Sequence, residues 1–226
     1  MGLNPGIVAH EHFHGHFQAQ VIGVTNAQLA PADDFEGMFY SAFQTSAKPS
    51  VEDVDKGDLR TPRGLNAFVL RAWNEGLADV YGAVYSRNPR FFEDSLPQLK
   101  EARALNATLA PLMSAATLQR YASRLLNTQE LVAISYDQGA KLARLIYTLA
   151  QSGAEDQDAF LVRIMHRLRD IPPAIVPVYD TRVLEFEDVL PILLKDFPLD
   201  SGNCEAIKRA VSKEMFKKGF GQCPNS

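Results

Sequence analysis

Apolar residues recur at every third or fourth position through most of the chain and seldom alternate with period two. That pattern predicts helices over 5–22, 65–86, 115–128, 136–152, 157–169, 186–196 and 203–217, hence a mainly α fold with little or no β-sheet. Between the first two helices lies a polar stretch punctuated by Pro31, Pro49, Gly57, Pro62 and Gly64. It reads as a long insertion over 23–64, with at most a short helix near Phe35–Phe43. The segment from Ile171 to Val178 holds Pro172, Pro173 and Pro177 and is expected to be extended, because proline cannot continue the preceding helix. The expectation is one domain over 1–226, with a C-terminal helical part over 115–226.

Composition narrows the function classes only modestly. A chain of 226 residues with 46% hydrophobic content can bury a substantial core. Net charge is −4, and the basic residues are scattered rather than gathered into a stripe, which argues against nucleic acid as a partner. No apolar run approaches the roughly 18–20 residues of a membrane span, and the N-terminus lacks the plan of a signal peptide. The only cysteines, Cys204 and Cys223, flank one helical segment. They are either free thiols or a local disulfide. A bridge there would contribute roughly 3 kcal/mol in the chain-entropy model and would imply an oxidising compartment, extracellular or periplasmic.

The chemistry concentrates in the first helix, whose stretch IVAHEHFHGHFQ carries four of the five histidines. On a helix advancing about 100° per residue, His10 and His14 share one face a turn apart, so both imidazoles reach a single ion. This is H-E-x-x-H, with Glu11 placed to hold a metal-bound water without ligating the ion. His12 and His16 repeat the spacing on roughly the opposite face, without a glutamate after the first histidine. A second helix, AWNEGLADVYGAVY, has an apolar inward face and carries Glu75 and Asp79 one turn apart. A catalytic zinc site needs a third protein ligand, commonly a carboxylate, and a ligating histidine needs an acceptor on its other ring nitrogen. Glu75 and Asp79 supply one of each, against the plainer alternative of a solvated acidic face.

The segments HEHFH and NEGLADVYG together resemble the active site of the thermolysin-like glutamate-zincin metallopeptidases, which pair H-E-x-x-H with an N-E-x-x-x-D or G-E-x-x-x-D signature. The resemblance implies one zinc per chain held by His10, His14 and Glu75, with Glu11 as general base and Asp79 orienting a ligand histidine. It also implies a hydrogen-bond donor to the oxyanion further along. In SYDQGAKLARLIYTLAQSG, which resembles the corresponding helix, Tyr136 stands three residues before Gly139. Tyr136 is either that donor or a packed tyrosine at a helix end, and His166 is the alternative donor.

The resemblance covers roughly 1–22, 65–86 and 135–153. It departs from the family in the long stretch between His14 and Glu75. In the family a β-sheet lobe precedes the metal helix, whereas only nine residues precede His10. The resulting expectation is a helical catalytic portion without that lobe: either the lobe belongs to a longer protein and was removed or cleaved from this chain, or the module no longer binds peptides in the usual way. The implied activity is hydrolysis of peptide or protein substrates. The competing expectation is a non-catalytic zincin-like module whose groove or structural zinc serves partner binding.

Overall fold

The computed structural model describes residues 4–29, 61–93, 95–96, 101–124, 128–152, 155–221 and 223. Among them the regular structure is helical throughout, with no strand, as the apolar spacing predicts. The short helix expected near Phe35–Phe43 lies outside the described residues, as does most of the 23–64 insertion.

Helix α1 spans Pro5–Phe17. Asn4 caps it, its side chain accepting from the Gly6 and Ile7 N–H groups, and Pro5 occupies the first turn, where a missing N–H costs nothing. Helical winding then runs on through a π-helical segment, Gln18–Ile22, into α2, Gly23–Leu29. The insertion therefore begins later than the sequence pattern suggests. Val21 and Thr25, one turn apart, are both buried, and that packing extends the helix past Gly23.

The centre of the molecule is α3, Pro62–Ser86, which is capped by Thr61 and ends at Arg87 in the left-handed conformation. Its 25 residues make it about 37 Å long, and it is buried on most of its circumference. Helix α1 packs along one side, with the Gly6 carbonyl against Gly82: a Cβ at Gly82 would stand 2.6 Å from that oxygen. On another side lies α5, Thr128–Ala150. Here a Cβ at Gly76 would come within 2.5 Å of the Gly139 carbonyl oxygen, so two backbones touch where only glycine fits. Buried Asn66 and Trp73 of α3 hold a further stretch of chain. Asn66 donates to the carbonyls of Tyr179 and Arg182 and accepts from the Leu184 N–H, while Trp73 donates to the Phe186 carbonyl.

The remaining helices are α4 (Ala115–Arg124), α6 (Gln157–Arg167), α7 (Ile171–Ile175), α8 (Leu190–Leu193), α9 (Ser201–Ala210) and α10 (Lys213–Gly219). One hydrophobic cluster runs from Phe13 to Phe216.

Two expectations are corrected. The Ile171–Val178 segment is not extended: it is α7 followed by a 3-10 turn, Val176–Val178. Each proline sits in the first turn of its element, where its N–H would have no partner anyway, so the prolines restart helices instead of forbidding them. The 203–217 helix is two helices. Val211 is extended, and Ser212, which caps α10, donates its N–H and hydroxyl to the buried Glu187 carboxylate. The 186–196 helix shrinks likewise to α8. Cys204 and Cys223 are joined in a disulfide, with Cα atoms 5.7 Å apart. Among the described residues no helix is long and apolar enough to cross a membrane.

Candidate metal centre

Helices α1 and α3 run antiparallel, with Gly6 near Gly82, His10 near Asp79 and His14 near Asn74. The close approach at the glycines brings the inner face of α1 against a polar stripe of α3. His10 is buried, only 4% exposed, and His14 is half-buried.

The two Nε2 atoms lie 3.0 Å apart, and Glu75 Oε2 stands 3.8 Å from His10 Nε2. Ligand atoms of all three residues fall within 4.8 Å of one another, so this group could hold a metal ion. An ion about 2.0–2.1 Å from each imidazole nitrogen in tetrahedral geometry places those nitrogens about 3.3 Å apart, close to the separation seen.

The outer ring nitrogens are occupied in a complementary way. His14 Nδ1 is 2.9 Å from Asn74 Oδ1, the geometry of a donated N–H. His10 Nδ1 is 3.0 Å from Asp79 Oδ1, close to it but off hydrogen-bond alignment. The 3.0 Å contact between the two Nε2 atoms is itself a hydrogen bond with the proton on one of them; with an ion between them, the oxygen facing each Nδ1 would hold the proton there and turn both Nε2 lone pairs inward.

The carboxylates are balanced by Arg103, which comes from the 101–103 turn between α3 and α4. Its Nε donates to Asp79 Oδ2 at 2.9 Å, one Nη donates to Asp79 Oδ1, and the same nitrogen lies 3.2 Å from Glu75 Oε2. Burial acts to lower the Arg103 pKa, but the charges and hydrogen bonds of Asp79 and then Glu75 outweigh it and hold the pKa above the usual value. Phe92 closes the apolar side, lying between His10, 5.3 Å away edge-on, and the Arg103 guanidinium, 4.7 Å over its ring.

Glu11 is exposed on α1, adjoining His10 in the chain. Tyr136 is half-buried on α5, and its hydroxyl accepts from Arg71 Nη2 at 3.0 Å, which leaves the phenolic hydrogen free to donate. Arg103 also lies over the Tyr136 ring, at 5.6 Å. His166, by contrast, is exposed near the end of α6. The structure thus gathers His10, His14, Glu75 and Asp79, as the two spacings predict, and brings Tyr136 beside them through Arg103.

Sequence reasoning missed two contributors. Asn74 stood in the N-E-x-x-x-D pattern without a role. Arg103, in the polar run KEARALN, gave no signal that separates it from an exposed arginine.

No family model matches the chain, and neither a curated protein nor a solved structure matches it.

Proposed function

We propose that the chain is a glutamate-zincin metallopeptidase of helical architecture, binding one zinc through His10, His14 and Glu75 and hydrolysing peptide bonds. The observation that carries this reading is the orientation of the histidine pair: both Nε2 atoms converge beside Glu75, and both Nδ1 atoms face an oxygen of α3. A solvated acidic face would need none of that arrangement. The donor set, two imidazoles and one carboxylate with a fourth position left over, suits catalytic zinc.

When bound, zinc supplies a Lewis acid for the scissile carbonyl and lowers the pKa of water towards about 7. Glu11 accepts the proton of the attacking water and passes it to the leaving amine. Its exposure fits that role, since a base must meet water and substrate. Tyr136 donates its phenolic hydrogen as charge builds on the carbonyl oxygen, a contribution on the order of 10²–10³ in rate. Asp79 and Asn74 hold the histidines. The disulfide supports an extracellular or periplasmic location, where such a bond persists.

The second reading, a non-catalytic binding module, draws on Arg103. It already occupies the Glu75 oxygen nearest His10, as in a brace built for stability. Elemental analysis and hydrolysis of a generic protein substrate, with and without a chelator, separate the two. The peptidase reading expects one zinc per chain and chelator-sensitive cleavage. Glu11→Gln then keeps zinc and fold but loses nearly all cleavage. Zinc bound without any cleavage gives the binding module; cleavage retained by Glu11→Gln removes Glu11 as the base.

A further inference from the structure

Arg71, Glu75 and Asp79 stand on successive turns of α3, so their side chains share one stripe of that helix. Two guanidinium groups meet this stripe, and they are not equivalent. Arg103 holds both carboxylates through its Nε and one Nη. Arg71 has one hydrogen bond given by the structure, to the Tyr136 hydroxyl at 3.0 Å, with its guanidinium carbon 5.1 Å over that ring. Its Nε is buried without a partner, and among the described residues no carboxylate lies within ion-pair distance of it.

A half-buried guanidinium with unfilled donors loses hydration and recovers little in return. Its planar fork of five N–H groups matches a carboxylate held by two parallel hydrogen bonds, which is both the strongest and the most selective partner it can take. We propose that Arg71, braced by Tyr136, forms a subsite for a carboxylate of the substrate, one helical turn from Glu75; this rests on the peptidase function proposed above. One turn is about 5.4 Å, the span of one to two residues of extended peptide. The carboxylate is therefore a free C-terminus one or two residues beyond the cleaved bond, or an Asp or Glu side chain at a neighbouring position. Both sources offer the same chemistry to the fork.

The experiment uses the full chain loaded with zinc and paired fluorogenic peptides. One arm pairs a free C-terminal acid with its amide, the other pairs Asp with Asn beside the cleaved bond. The quantity read is the ratio of kcat/KM within each pair, for the parent, Arg71→Met and Arg71→Lys. The subsite expects one arm to favour the carboxylate at least tenfold in the parent, and that arm names the source. Arg71→Met brings the ratio close to one, and Arg71→Lys, which keeps the charge but not the fork, falls between. A parent ratio near one in both arms overturns the proposal. So does a ratio that survives Arg71→Met, since an arginine that only braces Tyr136 affects both members of a pair alike. If the parent cleaves none of the peptides, the peptidase reading fails by itself. The same acid and amide pairs are then titrated calorimetrically onto the zinc-loaded chain. A tenfold affinity preference abolished in Arg71→Met upholds the subsite, and its absence from the parent, or its survival in the variant, removes it.

Discussion

The two faces of α1 carry the same local chemistry and meet different surroundings. His10 and His14 are spaced four residues apart with ring centres 4.6 Å apart; His12 and His16 have the same spacing and ring centres 4.7 Å apart. The inner pair meets Asn74, Glu75 and Asp79 on α3. The outer pair is met by Tyr81, whose ring is tilted 32° to that of His12 at 6.5 Å, and among the described residues no carboxylate is paired with it. Helical spacing therefore makes a pair of histidines able to converge, and the facing helix decides whether that convergence has a third ligand.

Breaking the inner face should have the largest effect. His14→Ala and Glu75→Ala are each expected to lose the tightly bound metal in elemental analysis, while a double His12→Ala, His16→Ala variant retains one ion per chain. Loss of the ion from the outer variant would erase the distinction between the faces.

Arg103→Met comes next. It leaves buried Asp79 and half-buried Glu75 without their cation, an uncompensated arrangement that typically costs about 3–5 kcal/mol. Denaturant unfolding of the metal-free protein should register a loss of that size, and added zinc should recover part of it, because a divalent ion offsets the same charge. A variant as stable as the parent would mean the carboxylates reach water.

Asp79→Asn tests the support behind His10. Zinc affinity, measured by chelator competition, is expected to weaken by roughly 10–100-fold. An unchanged titration would confine Asp79 to holding Arg103.

The glycines give the smallest and most directional contrast. Gly76→Ala pushes a methyl into the Gly139 backbone, which cannot yield as a side chain would, and should cost on the order of 1–3 kcal/mol. Gly15 on the outer face of α1 has nothing within 4 Å of a new Cβ, so Gly15→Ala should stabilise by roughly 0.5–1 kcal/mol. Thermal melts of the two variants should move in opposite directions; a Gly76→Ala melt that does not fall would show that α3 and α5 can separate without cost.

The chain alone determined whatever depends on a few neighbouring residues. The helical period, the inward pairing of His10 with His14 and the shared stripe of Glu75 and Asp79 all follow from 3.6 residues per turn, a geometry set by backbone hydrogen bonds within each segment. Tertiary structure decided what those stripes meet. Asn74 became a partner of His14 because Gly6 and Gly82 let α1 approach α3 closely, and Arg103 became the counter-ion because its turn folds back over α3. Even the ends of helices were partly non-local: Ser212 breaks one helix to satisfy the buried carboxylate of Glu187, far from it in the chain. A buried charge must find its partner wherever the fold brings one, and a short stretch of sequence holds no record of which distant residue that is.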